Sequence, residues 1–539
     1  MKCDDEQAQH MALGLAKAAS VLASQGRESS LDIAKDAVEI HADALTLSTY
    51  CKIALRFFDI GGLQDSIARS QAHRLKTPEL RSLIDAIRAG PLAVVDFVQR
   101  LSNHKPPSFA PTAHRVLYVL HKSLPHANDG YAMRSHGLAK ALTKSGLEVV
   151  CVTRPGFPTD LLADDGKAQY SDAIAQVDGV DYQRIDGPKR TDFPPRLSDH
   201  MVHASVEYLE HAAEALIAEI SRHRPACILA ASNFVTALPA CIAAKETGLP
   251  FVYEIRGLWE VSRAARDSQF MSSTAGRQER FLESATAEAA DSVIALNTSL
   301  RDELVSRGLP FERISVAPNA CDPNLFAPKA RDENLASKLG LAPETPVIGY
   351  VGSFNKYEGL DDLLIACAQL RREHLDFRLL LVGSEPHDPT GAYLVTDELK
   401  HLAEREGLAD WLIMPGRVPH DEVANWYSLI DIAPFPRKPE LVAELVSPLK
   451  PLEAMAMAKA VVVSSVGGMK DIVRHEQTGL VFQKGSGSSL TAALRTLIAD
   501  KALRDSFGSN ARRWIVDQRT WPHTAKIINS VLESLLRDK

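Results

Sequence analysis

Apolar positions in the first hundred residues recur at helical spacing. The stretches MALGLAKAASVLA, SLDIAKDAVEIHA, TLSTYCKIALRFF and PELRSLIDAIRA each lay a hydrophobic stripe along one face, and glycine or proline separates several of them. This predicts an all-α accessory domain over residues 1–105. The Pro-rich KPPSFAPTAHR, residues 105–115, marks its boundary. Beyond it, short unbroken apolar runs (RVLYVLH, EVVCVT, ACILAAS, PFVYEIR, DSVIALN) alternate with stretches such as LAKALTKSG and NFVTALPACIAAKETG. Such runs are strands buried on both faces, and their alternation with helices predicts an α/β domain on a parallel sheet, residues 106–335. A second series, VIGYV, RLLLVG, LIMPG, IDIAPFP and AVVV, repeats the plan over residues 336–515. TGLVFQKG reads as a strand pair, residues 155–200 as a polar excursion, 202–223 as a helix and 516–539 as a closing helix.

Composition narrows the class. A chain of 539 residues is too long for one core. The net charge of −7 argues against nucleic acid as a partner. The 7 cysteines are scattered singly, without zinc spacing, as in a reducing cytoplasm. The opening residues are polar and acidic, so no signal peptide is expected, and no apolar run reaches the length of a membrane span. Peripheral contact with a membrane stays open.

The chemistry concentrates in residues 444–468, ELVSPLKPLEAMAMAKAVVVSSVGG, read as loop, helix, turn, buried strand and glycine turn. Pro451 suits the first turn of a helix, where its missing N–H costs nothing. The stretch brings backbone N–H groups, Lys450 and the carboxylates Glu444 and Glu453 together, which suits an anionic, hydroxyl-rich ligand. It resembles the donor-site signature of the retaining glycosyltransferases of family four, which have the GT-B fold of two facing Rossmann-like domains. PLEAMA at residues 451–456 and the Val466-Gly467-Gly468 turn carry the likeness, as do Pro318, Asn319 and Asp322 before the second domain. Glu444 lies one residue further from Glu453 than the family spacing. GSFNKYEG, residues 352–359, has Ser353 and Glu358 where the family has arginine and lysine, with Lys356 between them. Arg256-Gly257 stands where the family has histidine and aspartate; that arginine reads as a holder of phosphate or of an acidic sugar, or as a surface residue. Trp259 reads as a sugar platform or as packing.

The resemblance implies transfer of a sugar from a nucleoside-diphosphate donor, UDP- or GDP-linked, to an acceptor hydroxyl on a lipid-linked glycan, polysaccharide or small molecule. It implies retention of configuration and no metal or other cofactor. Glu444, Lys450 and Arg256 would be catalytic. Gly130, Gly352, Ser353, Lys356, Gly416, Arg417, Ser447, Pro448, Leu449 and Glu453 would bind the donor, Glu453 through the ribose, with Lys450 and Lys356 offsetting charge on the leaving group. The closing helix resembles the one that crosses back to the N-terminal domain in this fold. The first helices hint at a tetratricopeptide-like array, open to a protein partner. Two other readings share the fold: a nucleotide-sugar epimerase, and a non-catalytic scaffold whose helices do the binding.

Overall fold

The computed structural model describes residues 5–75, 77–103, 105–106, 109–160, 173–187, 189, 206–385, 393–419 and 422–537. The chain divides into two compact units: Met1–Lys122, Val150–Glu254 and Leu258–Asp291 form the first, and Ser123–Val149, Ile255–Gly257 and Ser292–Lys539 the second.

The first unit opens with helices Asp5–Ser24, Ser30–Ile40, Ala44–Phe57, Ile60–Ala72, Pro78–Ile87 and Ala93–Gln99. Ala12, Ala16, Ala19 and Ala23 fall on one face of the first helix, and their small side chains let Ala34, Ala37 and Val38 of the second lie close. Asp43 and Thr46 form a reciprocal cap at the start of the third, worth about 1 kcal/mol for such caps. These helices pack on the α/β part of the same unit. Phe58 meets Phe281 at 5.5 Å, Arg277 pairs with Glu28 at 2.9 Å, and Arg100 binds Glu246.

The sheet of this unit holds β1 (Arg115–Leu120), β2 (Glu148–Thr153), β3 (Ile174–Val177), β4 (Val180–Arg184), β5 (Cys227–Ala231) and β6 (Phe251–Ile255), in the order β3-β4-β2-β1-β5-β6. The register pairs Val116 with Cys227 and Ile228 with Phe251; β1–β5, β5–β6 and β2–β4 are parallel, and β3–β4 is an antiparallel hairpin. That hairpin corrects the reading of residues 155–200 as an excursion alone. The predicted helix starts at Val206 among the described residues, and residues 202–205 lie outside them.

The second unit contains the parallel pair β7 (Ser292–Ala295) and β8 (Ile314–Val316). Its main sheet has β9 (Val347–Val351), β10 (Arg378–Val382), β11 (Leu412–Gly416), β12 (Ile432–Phe435), β13 (Ala460–Ser464) and β14 (Leu480–Phe482), ordered β11-β10-β9-β12-β13-β14 and parallel throughout. TGLVFQKG supplies one strand, β14, rather than a pair. Strands β9, β12 and β13 are buried at every position, which accounts for their unbroken apolar sequences. The closing helix, Trp521–Arg537, packs on helix Gly130–Lys144. A β-carbon on Gly137 would lie 2.4 Å from the Trp521 indole, so only glycine allows that approach.

Candidate functional site

Ligands of open parallel sheets sit at the carboxyl ends of the strands. In the second unit three of those ends carry glycine with positive φ: Gly352 (147°), Gly383 (129°) and Gly416 (83°) after or at the end of β9, β10 and β11. The Gly352 N–H donates to Val382 O, and the Gly383 N–H to Gly416 O. A β-carbon on Gly383 would come within 2.0 Å of Gly352 O, and one on Gly352 within 2.3 Å of Lys450 Cε. The strand ends are therefore held close together with bare backbone, and Arg417 Nε donates to Ser384 Oγ beside them at 3.1 Å.

Lys450, at the start of helix Lys450–Ala456, reaches over Gly352. Its Nζ donates to Tyr350 Oη at 2.5 Å, to Ser353 O at 3.1 Å and to Glu358 Oε1 at 3.2 Å, and it lies 4.9 Å from the Tyr350 ring centre. The Lys356 ammonium pairs instead with Glu398 at 3.1 Å, and its side chain is 66% exposed against 20% for Lys450. Of the two lysines named from sequence, Lys450 is the one packed on the glycine-lined end. Sequence reasoning took in Arg437 only as part of the basic lead PRKPELVA, without a role of its own. This buried arginine lies 3.5 Å from Glu358 Oε2 and donates to Val446 O at 2.6 Å. Its signal was its place in that basic lead, directly after a buried strand and a proline.

Glu453, half-buried one turn along from Lys450, accepts from Tyr427 Oη at 3.5 Å. Burial pushes its carboxyl up to about 7, against the pull of the Lys450 charge. Glu444 stands on the short helix Leu441–Leu445 rather than in a loop. Its Oε2 accepts from Gly467 N at 2.7 Å and its Oε1 from Lys484 Nζ at 2.5 Å. Gly467 and Gly468 permit this closeness, since β-carbons there would strike Glu444 O and Val446 O. The Ser447 hydroxyl is used internally: it donates to Gly468 O at 2.8 Å and accepts from Asn297 Nδ2 at 2.9 Å. Ser447 O accepts from Asn319 Nδ2, and Asn319 Oδ1 from buried Arg134. Pro448 and Leu449 are half-buried, and Leu449 Cδ1 lies 3.6 Å from where a β-carbon on Gly130 would sit.

Arg256 is buried, which excludes the surface reading. Its guanidinium covers the Tyr131 ring at 4.2 Å and donates to Tyr131 O and Ser135 Oγ, both at 2.8 Å, so it braces the first turn of helix Gly130–Lys144.

The family profile described as "Glycosyl transferases group 1" matches residues 331–514, over this glycine-and-lysine site, and the "Glycosyl transferase 4-like domain" profile matches residues 129–320. By both profiles the chain is a glycosyltransferase, similar over residues 129–320 and 331–514 to these two family models. This glycosyltransferase is 24% identical to the alpha-maltose-1-phosphate synthase of Mycolicibacterium smegmatis, over 57% of this chain and 79% of that relative. It is 26% identical to a D-inositol 3-phosphate glycosyltransferase of Kineococcus radiotolerans, over 75% of this chain and 89% of the relative. Among solved structures, a sucrose-phosphate synthase from Thermosynechococcus elongatus matches with a TM-score of 0.62 at 22% identity, covering 79% of this chain and 100% of that one. Anabaena HepE in complex with UDP-glucose matches with a TM-score of 0.57 at 18% identity, covering 78% of this chain and 99% of that one. The fold is GT-B, two Rossmann-like domains, here preceded by helices. Among the described residues of the glycosyltransferase, no helix is long and apolar enough to cross a membrane, and no group of His, Cys, Asp and Glu could hold a metal ion.

Proposed function

We propose that this glycosyltransferase moves a sugar from a nucleoside-diphosphate donor to an acceptor hydroxyl, with retention and without a metal. The observation that carries the reading is the Lys450 ammonium fixed over the bare backbone of Gly352. The bond from the anomeric carbon to the diphosphate oxygen breaks, and negative charge gathers on that oxygen. Lys450 offsets it in a site where little reorganisation is needed. The acceptor oxygen bonds to the same face of the sugar, and its proton passes to the departing phosphate oxygen. Glu453 takes the ribose hydroxyls. Glu444, held by Gly467 and Lys484, presents its remaining lone pairs to the sugar, and the backbone at Gly416–Arg417 meets the base. The UDP-glucose held by HepE favours a uridine donor. The named relatives favour a small phosphorylated or polyol acceptor. The scattered buried cysteines suit a reducing cytoplasm, and the N-terminal helices would serve a protein partner.

A panel of UDP-, GDP- and ADP-sugars tests this by thermal shift and by acceptor-dependent release of nucleotide. One donor should raise the melting temperature by mass action and turn over in the presence of a chelator. Binding without release would favour a scaffold. Epimerised donor as product would favour an epimerase.

A further inference from the structure

Glu358 is a buried carboxylate beside a site built for anions, which needs a physical reason. Removing a carboxylate from water is costly unless cations and hydrogen bonds replace the solvent. Here Lys450 Nζ lies 3.2 Å from Oε1 and Arg437 Nε 3.5 Å from Oε2. Burial alone would raise the carboxyl pKa, but the two cations outweigh it and hold Glu358 below the ordinary carboxylate value. The position is fixed by backbone. Glu358 closes the turn Lys356–Glu358, and Gly359 follows with φ 72°, where a β-carbon would lie 2.0 Å from Pro436 O. Lys438 N donates to Tyr357 O on the same segment. The turn after β9 is thus locked to residues 436–438, which places Glu358 between Arg437 and Lys450.

We infer that Glu358 is a positioning residue: it fixes the Lys450 ammonium over Gly352, so that the cation serving the donor diphosphate comes from helix Lys450–Ala456 rather than from the glycine loop itself. The inference rests on the donor reading above. An ammonium has three donors. Two of its bonds, to Tyr350 and Glu358, are shielded, while the third, to Ser353 O, lies at the exposed side. A phosphate oxygen takes over the third without disturbing the other two. Two cations and one carboxylate leave one net positive charge, and the carboxylate decides where it sits.

The test uses the full-length protein with UDP-glucose, or the donor found by the panel, and three variants. Glu358→Gln should lower kcat about tenfold or more, the scale of one charge-assisted hydrogen bond, with the donor KM within about twofold. Glu358→Asp, which keeps the charge, should fall between it and the parent. Glu358→Gln also leaves Arg437 unpaired and could fold poorly. The double variant Glu358→Gln/Arg437→Gln removes both members of the buried pair and should recover the melting temperature while kcat stays low. Recovery of kcat in the double variant would overturn the inference, because Glu358 would then serve only to neutralise Arg437. So would parental kinetics in Glu358→Gln while Lys450→Ala is impaired. If Lys450→Ala itself keeps full activity, the donor reading of Lys450 fails first and the inference with it.

Discussion

Two buried glutamates, one in each unit, have their acidity shifted in opposite directions by their surroundings. Glu283 in the first unit accepts from Tyr253 Oη at 2.5 Å and from Phe234 N at 2.9 Å, yet burial and the nearby Glu260 and Glu279 push its carboxyl up to about 8. Glu358 in the second unit is as deeply buried, but Lys450 and Arg437 hold it below the ordinary value. The same side chain is a stored proton in one place and a fixed anion in the other. Burial sets the cost, and the neighbours decide how it is met. Around Glu283 the neighbouring charges are carboxylates, whereas around Glu358 two cations face one carboxylate.

The sharpest way to break this contrast is to remove the cation. Lys450→Ala should lower kcat about a hundredfold, as expected for losing a charge aimed at a developing anion, with only a small change in melting temperature. A collapse in melting temperature instead would assign Lys450 to structure. Next in size is stability against pH. Glu283 binds its proton more tightly folded than unfolded, so its share of stability should fall as pH rises from about 4.3 to about 8, by up to about 1.4 kcal/mol per pH unit. Glu283→Gln should flatten that fall in denaturant titrations. Glu358 has the opposite sign: its contribution is present above the ordinary carboxylate value and is lost as pH falls through its lower folded value. Glu453 supplies a smaller effect. Nucleotide binding should strengthen, at most about tenfold per unit, as pH rises towards about 7, with a proton released on binding. Calorimetry in buffers of different ionisation heat would detect that proton. Smallest is Lys356→Ala, where an exposed pair with Glu398 predicts kinetics within about twofold of the parent.

Most strands were legible in the sequence because parallel strands buried on both faces leave unbroken apolar runs, as in VIGYV and AVVV. Strands β3 and β4 were not. They are short and partly exposed, with β3 alternating between exposed and half-buried positions, so IAQV and VDYQR look like loop. In the site, PLEAMA and the glycines marked the loop, but which lysine packs on Gly352 depended on the direction of one turn. The turn at Lys356–Glu358 sends Lys356 towards Glu398 and Glu358 inwards, a choice that spacing does not encode. Ser447 looked like a ligand group because it lies in the signature. Its hydroxyl is already committed to Gly468 and Asn297, a commitment that only the folded chain creates.

The contact between Gly137 and Trp521 has a consequence for how the enzyme is made. Helix Gly130–Lys144 carries Gly130 and Tyr131 at its tip, yet the indole that it rests against is encoded far downstream. A nascent chain on the ribosome must hold that helix without its final support until Trp521 emerges. The support of helix Gly130–Lys144 therefore arrives late, and a chain released before that point would lack it.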